Sequence, residues 1–266
     1  MYKNIEILAK NAGEMMLEAF GRIGSIHEKT SNSDIVTEYD IKIQDYLTKE
    51  LSKLYPDADF LGEEGDSKRD PDEILRGRAF IIDPIDGTTN FVRNLRTSAV
   101  SIALAENGEV IYGCCYIPYN DELFTAEKGK GAFLNGIPVK CSDTPIEHSL
   151  ASVGTTPYNK EVYSEPTFGI IRILFEKSMD IRRFGSAVID ILNVACGRSD
   201  IFCELRLSPW DHAAAGIIAS EAGAIVSDMN GNKLRFNGRY SVIAATPRCY
   251  DFFMKDADIQ KYSKWF

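Results

Sequence analysis

The stretch that most constrains this chain is IIDPIDGTTNF, residues 81–91. An apolar, strand-like run ends there in two aspartates, Asp83 and Asp86, and Gly87-Thr88-Thr89-Asn90 follows at once. A buried strand end is a poor place for two like charges, because desolvation and mutual repulsion both disfavour the ionised pair. One aspartate has an ordinary explanation: Asp83 caps the turn, or Asp86 begins an Asx-turn before Gly87. Two together call for a counter-charge. Upstream, Phe60-Leu61-Gly62-Glu63-Glu64-Gly65 closes another strand-like run with two further carboxylates. Clustered oxygen donors without thiol or imidazole suit magnesium, and a bound divalent ion removes the repulsion. The glycine turn and its hydroxyl residues offer free backbone N–H groups, and a helix starting there adds a positive dipole end. An anion cradle beside metal ions points to phosphoryl transfer to water.

The chain as a whole sets limits on that reading. With 266 residues it forms one large domain or two small ones, and either buries a substantial core. A formal net charge of −9 argues against a nucleic-acid partner, whose footprint is basic and clustered. No run approaches the length of a membrane span, and charges interrupt the opening MYKNIEILAKNAGE, so neither a membrane partner nor a signal peptide is expected. The six cysteines, Cys114, Cys115, Cys141, Cys196, Cys203 and Cys249, form no C-x-x-C pair and have no histidine at zinc-finger spacing. They read as buried, reduced thiols of a cytoplasmic protein.

Ile5, Leu8, Ala12, Met15, Met16 and Ala19 recur at helical spacing, predicting a first helix that Gly21 and Gly24 end. A second helix is predicted from Tyr39 to Leu54, with Pro56 just past its end. Strands follow at 79–83, 98–106 and 110–117, the last two joined by the hairpin signal Asn107-Gly108. Beyond the polar connector SDTPIEHS the pattern becomes an alternation of strands and helices. The expected fold class is therefore mixed: an antiparallel sheet with helices in residues 1–142, then an α/β half in residues 143–266, with a cleft between the two. Two other chemistries fail on spacing. Lys128-Gly129-Lys130-Gly131 lacks the phosphate-loop pattern and reads as a turn, and His27, His148 and His212 accompany no nucleophile-elbow serine.

GEE (62–64), DPIDGTTNF (83–91) and WDHAAAGIIASEAGA (210–224) resemble the signatures of the inositol monophosphatase family. KTSNSDIVTEYD (29–40) and GSAVIDILNVACGRSDIFCE (185–204) extend the likeness over nearly the whole chain, in order. The resemblance implies a layered αβαβα sugar-phosphatase fold and a lithium-sensitive, magnesium-dependent phosphoric monoester hydrolase that works as a homodimer. It implies a first magnesium held by Glu63, Asp83 and the carbonyl of Ile85. Asp83 would bridge to a second ion shared with Asp86 and Asp211. Glu63 and Thr88 would orient the attacking water, supported by Asp40 near a third, weaker ion, and Lys29 matches a lysine near the site. Two ions about 3.5–4 Å apart suit in-line attack, one activating water and one stabilising the leaving oxygen.

Substrate contacts are implied for Asp86, Gly87, Thr88, Thr155, Gly185, Ser186, Ala187, Glu204 and Asp211. Several of these have plainer readings. Asp211 reads by itself as a helix N-cap with Trp210 as a staple, and Glu204 as a charge at a strand end. Arg182 and Arg183 are solvated surface charges or a grip for a second phosphate. The family's animal enzymes carry a histidine just before the W-D pair, where this chain has Ser208-Pro209. Inositol monophosphate, fructose 1,6-bisphosphate and 3′-phosphoadenosine nucleotides thus remain open as substrates. A non-enzymatic role as accessory factor in RNA synthesis is the alternative from another class. The apolar segments around Cys114 and Phe168 are the expected dimer interface.

Overall fold

The computed structural model describes residues 2–19, 26–31, 34–64 and 69–266, with the backbone alone for 26–31 and 34–36. Helices α1 (Lys3–Glu18) and α2 (Glu38–Leu54) flank a hairpin of β1 (Ile26–Ser31) and β2 (Asp34–Thr37). Then come β3 (Asp59–Gly62), α3 (Pro71–Ile74), β4 (Arg78–Asp86) and α4 (Thr88–Val92). Strands β5 (Ala99–Glu106), β6 (Glu109–Ile117), β7 (Glu122–Glu127), β8 (Ala132–Leu134) and β9 (Ile137–Val139) complete the first half. The second half holds β10 (Leu150–Val153), α5 (Lys160–Lys177), β11 (Asp180–Arg182) and α6 (Ala187–Ala195). It continues with β12 (Ile201–Leu207), α7 (Pro209–Glu221), β13 (Ile225–Ser227), β14 (Tyr240–Ala245), α8 (Pro247–Lys255) and α9 (Ala257–Gln260).

Strands β3 to β9 form a seven-stranded sheet in sequence order, and a five-stranded sheet runs β11-β10-β12-β14-β13. Because strand side chains alternate between faces, β4 divides its apolar residues between two cores. Phe80 and Ile82 pack with Ile5, Met16, Ile43 and Leu47 of α1 and α2. Ala79 and Ile81 join a second core with α6, α7 and the inner face of the five-stranded sheet, through Val188, Ile191, Ala214, Ile218 and Phe202. The outer face of that sheet, with Ile201, Cys203 and Ile243, is covered by Ile170, Leu174 and Phe253 of α5 and α8. The layers run α, β, α, β, α, as the resemblance implied. No helix among the described residues is long and apolar enough to cross a membrane.

The main differences from the sequence reading lie at edges. The seven-stranded sheet is not purely antiparallel, since β3 runs parallel to β4. The five-stranded sheet is mixed, with β10 parallel to β11 and β12 but β14 antiparallel to β12. The predicted helix TFGIIRILFEK begins earlier, at Lys160, and runs through Pro166, which forfeits only one backbone bond. The Asn107-Gly108 hairpin is present, with both residues left-handed at φ 51° and 77°. Glycines 21 and 24, predicted to end α1, lie outside the described residues. Of the two positions expected at a dimer interface, Cys114 is fully buried within the chain, whereas Phe168 is exposed.

Candidate active site

The parallel pairing of β3 with β4 brings their C-terminal ends together, and the Glu63 N–H donates to the Ile82 carbonyl at 3.1 Å. Across β4 and β5 the register slips: Asp83 faces Ser101 and Asp86 faces Ala99, so three steps on β4 match two on β5. One extra residue in β4 is a bulge, and it turns two aspartates that a regular strand would hold on opposite faces toward one side. The Ile85 N–H donates to Asp83 Oδ1 at 3.0 Å. Gly87, left-handed at φ 88°, then starts α4; a Cβ there would meet the Thr97 carbonyl at 3.1 Å and the Gly185 carbonyl at 3.2 Å. Glycine is required at that turn.

Asp86 also reaches across the cleft, accepting from the Ser186 hydroxyl and, at 2.9 Å, from the Val188 N–H in the first turn of α6. A carboxylate at a helix N-terminus meets both orphan amides and the positive dipole end. Asn90 ties the same walls together, donating to the Thr97 carbonyl at 2.8 Å and the Phe184 carbonyl at 2.7 Å. Asp211 is not the N-cap of α7. Ser208 is, and Asp211 is its third-residue partner, accepting the Ser208 N–H at 2.7 Å. One oxygen each from Asp83, Asp86 and Asp211 lies within 4.8 Å of the others.

These groups line a cavity of about 440 Å³ between the halves, together with Glu63, Gly87, Thr88, Gly185, Ser186, Ala187 and Glu204. Asp40 does not line it. Buried behind α4, it accepts from the Thr37 N–H at 2.8 Å, while the Thr88 hydroxyl lies 3.1 Å from both Asp40 Oδ1 and the Ile85 carbonyl. Thr155 is also outside the lining, its hydroxyl accepting from Arg183 at 3.1 Å. Glu204 accepts the Thr156 N–H at 2.7 Å, and its carboxylate lies over Gly154, where a Cβ would stand 1.9 Å from Oε2. Arg182 turns away and pairs with Asp180. Arg183 lines the cavity. The Lys29 side chain lies outside the described atoms.

Among the charged residues lining the cavity, Asp190, Lys160 and Arg206 are assigned no role from the sequence, although Arg206 stands near Ser208-Pro209. Asp190 had a signal, a lone carboxylate inside the apolar helix AVIDILNVA. Lys160 and Arg206 had none, because their value depends on which wall they line.

Burial sets the electrostatics. It pushes the Asp83 and Asp211 carboxyls well above the usual range, with the neighbouring carboxylates adding to the shift. Asp86 is pushed up to about 7 by burial, although the Ser186 and Val188 donors pull it down. Burial likewise raises Asp40 and Glu204 to about 6. Buried Asp83 and Asp86 and half-buried Asp211 accumulate repulsion that a cation would relieve, and the donors are all oxygen, with no cysteine or histidine among them. That set fits a hard divalent ion such as magnesium.

A family model described as the inositol monophosphatase family matches residues 1–261. The chain is 36% identical over 227 residues to a fructose-1,6-bisphosphatase/inositol-1-monophosphatase of Thermotoga maritima, covering 85% of this chain and 84% of that one. It is 36% identical over 244 residues to a Nus factor SuhB of Vibrio cholerae, covering 90% and 89% of the two chains. A solved structure of a Thermotoga maritima IMPase superposes with a TM-score of 0.86 at 33% identity, over 98% of this chain and 97% of the other. Motifs, layers and carboxylate cluster agree with these matches, and the chain belongs to the inositol monophosphatase family of phosphoric monoester hydrolases.

Proposed function

We propose that this phosphatase hydrolyses a sugar or cyclitol phosphate, inositol 1-phosphate or fructose 1,6-bisphosphate, and does so with magnesium. The observation that carries the reading is the convergence of Asp83, Asp86 and Asp211, from both halves of the chain, on one cavity. Magnesium held by these three, with Glu63 and the Ile85 carbonyl beside them, would neutralise the phosphate and lower the pKa of the attacking water. The chain's own groups do the positioning. Thr88, its hydroxyl held between Asp40 and the Ile85 carbonyl, fixes the lone pairs that face the water. The Gly87 turn keeps the backbone close enough for an anion to approach, and Glu204 and the Gly185–Ala187 segment face the sugar hydroxyls. Two or three ions per site, and a subdomain division at residue 142, complete the proposal. The division is supported by one sheet drawn from 59–139 and the other from 150–245.

A bisphosphate is favoured by the cations on the opposite wall. Arg183, Lys160 and Arg206 line the same cavity. Their side chains would offer charge-assisted contacts to a remote phosphate. A homodimer is supported by Phe168 and Phe175, 63% and 60% exposed on α5. The burial of Cys114, Cys115, Cys203 and Cys249, unpaired like Cys141 and Cys196, supports a cytoplasmic location. A panel of phosphate esters assayed for phosphate release with magnesium and with chelator tests the reading. Turnover that persists in chelator, or that no sugar phosphate supports, overturns it. Tight RNA binding without turnover would favour the accessory role suggested by the SuhB relatives' name.

A further inference from the structure

The turn that leaves β10, Gly154-Thr155-Thr156, holds two residues of the cleft wall at once. It starts tied to β12, the Gly154 N–H donating to the Cys203 carbonyl at 3.0 Å. Thr156 is buried and left-handed at φ 44°, a conformation that β-branched residues rarely take. Such strain persists only where the surroundings fix the chain more strongly than the residue resists. Glu204 does the fixing. Its Oε1 accepts the Thr156 N–H at 2.7 Å and lies 3.4 Å from the Thr156 hydroxyl, and its carboxylate fills the space that a Cβ on Gly154 would need.

Thr155 sits between those two anchors and holds Arg183. Its hydroxyl accepts from Nε at 3.3 Å and from Nη2 at 3.1 Å, which together form one edge of the guanidinium fork. Because the fork is planar and rigid, holding one edge sets the direction of the third nitrogen. Nη1 then lies by Gly185 in the cavity wall, where a Cβ would stand 2.8 Å from it. Arg183 is exposed, and a long side chain left free loses rotamer entropy whenever it takes up a ligand. A hydroxyl that aims it beforehand removes part of that cost. Glu204 and Arg183 are thus held by adjacent residues of one turn. The backbone sets the spacing between the contact to the sugar and the contact to a remote phosphate.

We propose, on the bisphosphate reading of this cleft, that Thr155 is a specificity-determining residue that positions Arg183 for the second phosphate. The test compares KM for fructose 1,6-bisphosphate with KM for inositol 1-phosphate, each assayed with magnesium in the full-length protein. Thr155→Val keeps the side-chain shape and removes the hydroxyl, and should raise the bisphosphate-to-monophosphate KM ratio about fivefold. Thr155→Ser keeps the oxygen and should restore the parent ratio. Arg183→Ala should raise the ratio about tenfold, and adding Thr155→Val to it should raise it no further, since Thr155 acts through the guanidinium. A Thr155→Val that shifts both KM values alike, a Thr155→Ser that fails to restore the ratio, or effects that multiply in the double variant overturn the proposal. If Arg183→Ala moves the ratio and Thr155→Val does not, Thr155 loses its role while the bisphosphate reading stands. If Arg183→Ala does not move it, the bisphosphate reading falls and the proposal with it. Should Thr155→Val not fold, Thr155→Ala asks less of the packing and is read in its place with the same outcomes.

Discussion

Asp83→Asn, studied with magnesium stripped away, separates the charge of the cluster from its shape. Asparagine keeps an oxygen for the Ile85 N–H, which Asp83 accepts at 3.0 Å. What it removes is one negative charge from three whose oxygens lie within 4.8 Å. At 4.8 Å, the upper limit of those separations, and an effective dielectric constant of about 20, each ionised pair repels by about 3.5 kcal/mol. Losing Asp83 abolishes two of the three repulsions, on the order of 7 kcal/mol if all three are ionised. Burial raises all three carboxyls, Asp86 to about 7, so near neutrality the metal-free cluster sheds charge by binding protons. The gain should then be about 1–3 kcal/mol, or about 2–4 °C in Tm per kcal/mol for a chain of this size. The sign against pH follows from the raised values. A carboxyl raised on folding stabilises the fold fully below its unfolded value of 3.8, and that stabilisation is lost as pH rises through about 7. The metal-free protein should therefore weaken across that window, and Asp83→Asn should weaken less, so the gap is widest above it. With saturating magnesium the order reverses, because the ion stabilises only the chain that binds it. Scanning calorimetry in chelator and in magnesium across the pH range reads all of this. A variant that melts below the parent in chelator at alkaline pH, or magnesium stabilising both chains equally, would refute the reasoning.

Thr88→Val keeps the volume and removes the hydroxyl that lies 3.1 Å from both Asp40 and the Ile85 carbonyl. Steady-state kinetics should give a kcat about a hundredfold lower with Tm little changed. Arg183→Ala and Lys160→Ala should each raise KM for fructose 1,6-bisphosphate more than for inositol 1-phosphate, while Arg182→Ala, paired outside with Asp180, should affect neither. Equal effects on both esters would mean that no second phosphate is gripped. Gly113→Ala drives a Cβ to within 2.5 Å of the Ala214 carbonyl on α7, and denaturant unfolding should show a loss of about 1–3 kcal/mol.

Much of this protein is determined by spacing alone. The apolar run of β4, the helical periodicity of α1 and α2 and the Asn107-Gly108 turn act over a few residues, so the sequence already carries them. The carboxylates of DPIDGTTNF and GEE announce a metal site for the same reason, since unpaired charges at strand ends need an explanation wherever the strands go. Tertiary structure decided how those groups meet. The bulge that turns Asp83 and Asp86 to one side exists only in the pairing with β5. Asp86 capping α6 spans 102 residues from Asp86 to Val188. Nothing local distinguishes Arg182 from Arg183, yet successive residues of an extended chain point opposite ways, and one meets Asp180 while the other lines the cleft. Asp190, Lys160 and Arg206 became site residues because two sheets and the helices between them close around one space. Local conformation follows from neighbours in sequence, but which face looks into a cavity is set by packing between segments far apart.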